Sequence, residues 1–274
     1  MHIFETFKPE SKLIRKYVSY YYLHVSDEQS EKNEYICYPH YNNTISLYKS
    51  HRFKYQQDHS IVQFDVESKP VQIYTPIRER PLKVTQTGAV FKIAIVFNPF
   101  GINQFSGASS LLPFNANFSF FEEQEIMLLF QTTEIQKLVG LFDSMLIKRY
   151  VKVENIYIEA ALDLFRDNVT DISIDSLAEH KLGISRKHLN RLFHKYLDIS
   201  PQKYRSIVRF RELMANKLSS NSDQSLSALS HQANYTDQSH FVKVCKLLTG
   251  ASPAKFFNDG KVIGKEDTFW KFSH

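Results

Sequence analysis

Cysteine is scarce in this chain: Cys37 and Cys245 are the two among 274 residues, far apart in sequence. Two cysteines build neither a disulfide framework nor a Cys-rich zinc site, and they suit a reducing cytosol. Long apolar runs are missing too. The longest uncharged stretch, Ile93 to Phe121, is broken by Asn, Gly, Pro, Gln and Ser, so no membrane span is expected. The first residues, MHIFETFKPESKLIRKY, place no apolar segment ahead of their charges, and no secretory signal is read. A phosphate loop, a Gly-rich nucleotide fingerprint and a nucleophile elbow are all absent from the sequence. No cofactor and no catalytic residue is therefore assigned, and the chain is not expected to be an enzyme. There is also no His-x-His pair. His24, His40, His51 and His59 have no acid at matching spacing, and they read as surface or internally satisfied side chains rather than metal ligands. His188 and His194, six apart on one helix, face different directions. Cys37, alternating within a strand, and Cys245, on an apolar helical stripe, read as core.

Aromatic residues are plentiful, with 22 Phe and 15 Tyr, far above what solvated tails carry. The formal charge of +5 is unevenly placed. Residues 171 to 274 hold 16 Lys and Arg against 10 Asp and Glu, a balance of +6, which leaves −1 for the rest. Between Lys181 and Lys217 ten basic residues face only Asp198 and Glu212. A neutral first part joined to a basic second part suggests a polyanion-binding module attached to something else; a solvated basic face is the alternative.

From residue 17 to about 97, short β-branched and aromatic runs (VSYYYLHV, YICYPHY, TISLYKS, VQIYT, VFKIAIVF) alternate with polar or Pro/Gly segments. They predict a small barrel or sandwich ending at the turn Asn98-Pro99-Phe100-Gly101. From Glu122 the period becomes helical. Ile135, Leu138, Val139, Phe142 and Met145 share one face, and Val153, Ile156, Ala160 and Leu164 share another. The expected organisation is a mostly-β domain over 1–120, a helical connector over 121–168 and an all-α region over 169–274.

The last region repeats itself at an offset of 52: Ser173 with Ser225, Leu177 with Leu229, Leu189 with Phe241, Phe193 with Cys245, Ser200-Pro201 with Ser252-Pro253, and Tyr204 with Phe256. Each unit reads as a helix, a tight turn, a second helix, then Ser-Pro opening another helix. Gly183 and Asn234 stand where the first helix ends in a left-handed residue; Ser185 and Thr236 cap the second. In SRKHLNRLFHKYL the stripe Leu189, Leu192, Phe193, Tyr196, Leu197 is inward, leaving Arg186, Lys187, Asn190, Arg191 and His194 outward. In TDQSHFVKVCKLL, Phe241, Val244, Cys245 and Leu248 are inward, with Gln238, Ser239, His240 and Lys243 outward. Helix-turn-helix modules insert such a helix into the major groove, where Arg reads guanine and Asn or Gln reads adenine. Base readout is thus assigned to Arg186, Lys187, Asn190, Arg191, Gln238, Ser239, His240 and Lys243, and phosphate contact to Ser185, Lys195, Arg205, Arg209, Thr236 and Lys246. The helix from Pro201 to about Leu218 is long enough to set two reading helices about 34 Å apart, one duplex turn.

These residues resemble the AraC/XylS family of bacterial transcription regulators over roughly 168 to 258. The resemblance rests on ISIDSLAEHKLGISRKHLNRLFHKYLDISPQKYRSIVRFREL and on LSALSHQANYTDQSHFVKVCKLLTGASPAKFF. Asp198 departs from the family's Gly, Asn234 from Gly, Ser230 from Ala and Cys245 from Phe. YICYPHYNNTISLYK and IAIVFNPFGINQFSG resemble the family's cupin-like domain. The resemblance implies an α+β chain with a cupin-like barrel or sandwich, a helical connector and two helix-turn-helix units. It implies double-stranded DNA as partner and room for a contact with RNA polymerase. A homodimer is expected from the apolar stripes of Ile135 to Met145 and Val153 to Leu164, which exceed what a linker needs, the alternative being that both pack on the β domain; the scarce cysteine gives the cytoplasmic location. Two roles stay open for the N-terminal domain: binding a small-molecule effector, or only dimerising or contacting a protein partner.

Overall fold

In the computed structural model the described residues are 2–27, 32–106, 119–167, 172–219, 238–259, 261–262 and 269–272. The β runs expected from the sequence are present: β2 (Val18–Ser26), β3 (Lys32–Cys37), β4 (Asn43–Tyr48), β7 (Val71–Thr75) and β9 (Val90–Phe97). They are joined by β1 (His2–Phe7), β5 (His51–Gln56), β6 (His59–Phe64) and β8 (Leu82–Thr87). Two sheets form. One has the order β1-β2-β9-β4-β7, with antiparallel pairing. The other contains β3-β8-β6-β5, with β6 and β8 parallel. The arrangement is a two-sheet sandwich. Strands β10 (Lys261–Val262) and β11 (Phe269–Phe272), with no counterpart in the sequence reading, extend the second sheet, Trp270 and Phe272 pairing with Cys37 and Tyr35 of β3.

Alternation along β2 and β9 explains the first sheet. Tyr21, Leu23, Ile93, Ile95 and Phe97 face one way, into a core shared with the helices; Tyr20, Tyr22, Ala94 and Val96 face the other way, toward the second sheet. Both faces are covered, so these strands read as almost continuous apolar runs. The turn at 98–101 closes this region. Gly101 is required there, because a Cβ would sit 2.1 Å from the Tyr17 carbonyl oxygen.

The helices are α1 (Asn103–Ser106), α2 (Glu123–Leu129), α3 (Ile135–Arg149) and α4 (Ile156–Arg166). The expected α3 stripe is inward: Leu138, Val139, Phe142 and Met145 are buried, and Phe142 stacks on Tyr21 with centroids 4.6 Å apart. Buried Asp143 fixes this helix to the sheet. It accepts bonds from Tyr21 Oη (2.8 Å) and from the backbone N–H groups of Glu10 (2.9 Å) and Ser11 (2.6 Å). The α4 stripe is different from the one expected. Ile156 is 71% exposed, whereas Ile158, Ala161, Leu162 and Phe165 are buried. Those four follow the same 3–4 spacing with a larger aromatic, and they face Phe193 and Tyr204 of the C-terminal region.

The C-terminal helices begin with α5 (Ile174–Ser176), which runs into a π turn (Leu177–Lys181) in which Leu182 N–H bonds to the Leu177 carbonyl. Ser173 caps it through a bond from Ser176 N–H. Then follow α6 (Arg186–Leu197), α7 (Pro201–Ser219), α8 (Gln238–Thr249) and α9 (Pro253–Asp259). Gly183 has φ +66°, as the end of the first helix requires. Asn234 and Thr236 lie outside the described residues. Asp198 sits at φ 56°, the left-handed position that glycine occupies most cheaply; a short polar side chain tolerates it.

Candidate nucleic-acid interface

The second helix of the first unit is anchored along the full expected stripe. Leu189, Leu192, Phe193, Tyr196 and Leu197 are buried, and Ser185 caps the helix by accepting the His188 N–H at 3.2 Å. Its other face carries the assigned readers. Arg186, Lys187, Arg191, His194 and Lys195 are exposed, and Asn190 is half-buried between them and the core. Arg186 Nη1 bonds both oxygens of Asp175 (3.0 and 3.2 Å), joining the start of α6 to α5 across the turn. At over half exposure on each side this pair adds little stability, but it holds the guanidinium beside the helix N-terminus. Lys195 Nζ lies 4.9 Å from the Tyr196 ring centroid.

In the second unit Phe241, Cys245 and Leu248 are buried and Val244 half-buried, as the stripe requires. Ser239, His240, Lys243 and Lys246 are exposed. Gln238 is the first residue of α8. Burial pushes the Cys245 thiol up to about 11, against a weaker pull from Thr249, which fits a core side chain. Ser200 and Ser252 each accept the N–H three residues on, at 3.4 and 3.5 Å, so both Ser-Pro helices open alike. Between the units α7 spans 19 residues, or about 28 Å.

The α7 arginines are placed differently from the expectation of an exposed basic face. Arg205 gives its guanidinium to the Ile172 carbonyl and to Gln202 Oε1 (3.0 Å); burial, then neighbouring Arg209, lowers its pKa. Arg209 is half-buried. Arg211, counted in the sequence among the polyanion-binding charges, is buried at 4% exposure and reaches into the β sandwich, donating to the carbonyls of Pro39 (2.7 Å) and Tyr38 (2.9 Å). The same junction holds Tyr38 against Phe256, Phe100 against Tyr196, and Lys203 Nζ 2.8 Å from Glu79.

A cavity of about 140 Å³ lies between the two sheets and reaches α7 at Arg211. Its wall includes Tyr22, Tyr35, Tyr48, Lys92 and Arg78. Sequence reasoning passed over Lys92; the signal was one charge inside the otherwise apolar VFKIAIVF. Two of the four histidines of the β region are hydrogen-bonded locally. His51 accepts the Ser50 N–H at Nδ1 and its Nε2 faces the Ala89 carbonyl at 3.0 Å, burial lowering its pKa to about 4; His59 Nε2 lies 2.8 Å from Thr85 Oγ1. Among the described residues no helix is long and apolar enough to cross a membrane.

A sandwich followed by a capped helix–turn–helix with an exposed donor face defines a two-part nucleic-acid-binding protein. Residues 178–259 match the family model described as a helix-turn-helix domain, and this region is a helix-turn-helix domain of the AraC type. No curated protein sequence matches the chain. Among solved structures the chain is similar to ToxT from Vibrio cholerae, at 12% identity over 87% of this chain and 98% of that one, with a TM-score of 0.52. It is also similar to ToxT from Vibrio cholerae O395 bound to (E)-4-(8-methylnaphthalen-1-yl)but-3-enoic acid, at 12% identity over the same shares, with a TM-score of 0.50. The shared fold spans 87% of this chain.

Proposed function

We propose that this chain is a sequence-specific DNA-binding transcription regulator that reads base edges with α6 and α8. The observation that carries this is the outward face of α6, where Arg186, Lys187, Asn190 and Arg191 stand on a helix fixed by a buried stripe and a serine cap. Asn190 and Arg191 are assigned base readout in the first unit and Gln238 and His240 in the second, with Lys187, Ser239 and Lys243 beside them. Lys195 and Lys246 are assigned to phosphates, as are the capping Ser185 and Thr236. Arg205, held by the Ile172 carbonyl, we assign to positioning α5; half-buried Arg209 stays assigned to phosphate contact.

The cavity supports the effector reading of the β sandwich over one in which its own aromatics fill the interior. A ToxT structure of the same fold carrying a carboxylic acid agrees with that reading. The expected homodimer loses its original support, because the stripes of α3 and α4 are spent inside the chain. It now rests on the opposite face of α3, where Gly140 has open space and Ile147 is 49% exposed. Such a regulator works in the cytoplasm within reach of RNA polymerase and catalyses no reaction of its own. Sequencing duplexes selected from a random pool by the full chain tests the reading: one enriched motif is expected, and a pool left random after several rounds contradicts it.

A further inference from the structure

After α9 the chain returns to the sandwich. α9 ends at Asp259 and β10 begins at Lys261; β10 pairs with β11, and β11 lies antiparallel along β3, with Trp270, Lys271 and Phe272 opposite Cys37, Ile36 and Tyr35. Without β11, β3 would be the outer strand of its sheet, and an open edge readily accepts a further strand. β3 runs directly into Tyr38 and Pro39, whose carbonyls receive Arg211 of α7. The Tyr38 ring meets Phe256 of α9 with centroids 4.7 Å apart, and Phe256 meets Phe210 of α7 at 5.6 Å. The sandwich, α7 and α9 thus converge where β3 ends. From α9 the connection to the reading helix α8 is short and well held. Thr249, 5% exposed, donates its hydroxyl to the Cys245 carbonyl at 2.7 Å and accepts the Ala251 N–H at 3.1 Å, while Gly250 turns the chain at φ +74°. The first unit has its own seat on the sandwich, Tyr196 of α6 against Phe100.

We infer that β11 is a positioning strand for DNA reading: by pairing with β3 it fixes α9 on the sandwich and, through the Thr249 turn, holds α8 in place relative to α6. The inference rests on the reading of α6 and α8 as the two recognition helices. Once the first unit is on the duplex, a second unit held in place meets its half of the site at a higher effective concentration, and less freedom is lost when it binds. A strand that only shielded the β3 edge would protect the sheet and leave DNA binding unchanged.

Full-length Lys271→Pro and Lys271→Thr test the inference. Proline removes a ladder N–H and is excluded from a strand paired on both sides, whereas threonine suits a strand. Amide exchange first reports the pairing: the β3 amides that face β11 are expected to exchange faster in the proline variant and as slowly as the original in the threonine variant. Affinities are then measured at one salt concentration for the selected duplex and for the same duplex with the half read by α8 scrambled. Lys271→Pro is expected to lose about tenfold on the intact duplex and nothing on the half-scrambled one, since only the contribution of the second unit depends on the strand; Lys271→Thr is expected to restore the original values. Should Lys271→Pro fail to fold, Phe272→Pro carries the same comparison. Unchanged β3 exchange in the proline variant, or equal losses on the two duplexes, or no loss on either, overturns the inference. An unmodified chain that binds both duplexes equally contradicts base reading by α8, and the positioning role with it; a preference for the intact duplex that survives the proline change overturns the positioning role alone.

Discussion

Raising salt from about 50 to about 200 mM weakens duplex binding by the full chain about a thousandfold, the loss expected for about six neutralised phosphates. The count comes from the exposed cations around the two reading helices other than the base reader Arg191: Lys181, Arg186, Lys187 and Lys195 in the first unit, Lys243 and Lys246 in the second. Each phosphate contact releases condensed counterions, so the logarithm of affinity falls linearly with the logarithm of salt, at a slope of roughly −0.9 per contact. Arg205 and Arg211 are left out because their guanidinium groups are committed inside the protein. Fluorescence anisotropy at four salt concentrations gives the slope. A slope near −5 agrees with this surface. One near −1 means that the exposed basic face is solvated rather than DNA-bound.

The largest loss of folding stability is expected at Asp143. Its carboxylate joins α3 to β2 and to the loop after β1 through three bonds, one from the Tyr21 hydroxyl and two from backbone N–H groups. Burial, and then the neighbouring carboxylate, holds the Tyr21 proton in place, so Tyr21 remains the donor. Asp143→Ala removes the acceptor for all three and should cost about 3 kcal/mol, since bonds to a charged group are worth about 1.5–3 kcal/mol each and part of the loss is recovered by water. Asp143→Asn should cost about half as much. Its amide oxygen still accepts from the backbone and its amide nitrogen can donate to Tyr21, so mainly the charge is lost. Urea denaturation of the three proteins measures this. An alanine variant within about 0.5 kcal/mol of the original would show that the carboxylate is dispensable.

Much of this was legible in the sequence because it depends on local pattern. The α6 stripe, the serine caps, the left-handed Gly183 and the paired Ser-Pro helices are set by residues within a few positions of one another, and the 52-residue repeat shows the pattern twice. The α4 face was misread for a related reason. Two stripes with helical spacing overlap there, and only packing against Phe193 and Tyr204 selects the one containing Phe165. Lys92 and Arg211 were not legible as a pair. They are 119 positions apart, and nothing near Arg211 distinguishes it from its exposed basic neighbours. Its burial follows from how α7 docks on Tyr38 and Pro39, a tertiary contact that carries no local signal. The short strands after α9 are likewise defined by the edge of β3 that they join.

The central claim is that α6 reads sequence through Arg191. Its most direct measurement is the affinity of the full chain and of Arg191→Ala for the selected duplex and for a scrambled one at the same salt. The account predicts that the variant loses about 1–3 kcal/mol on the selected duplex, with relaxed preference at one base pair and little change on the scrambled one. Equal losses on both duplexes would make Arg191 a backbone contact and contradict the assignment of base readout to this face.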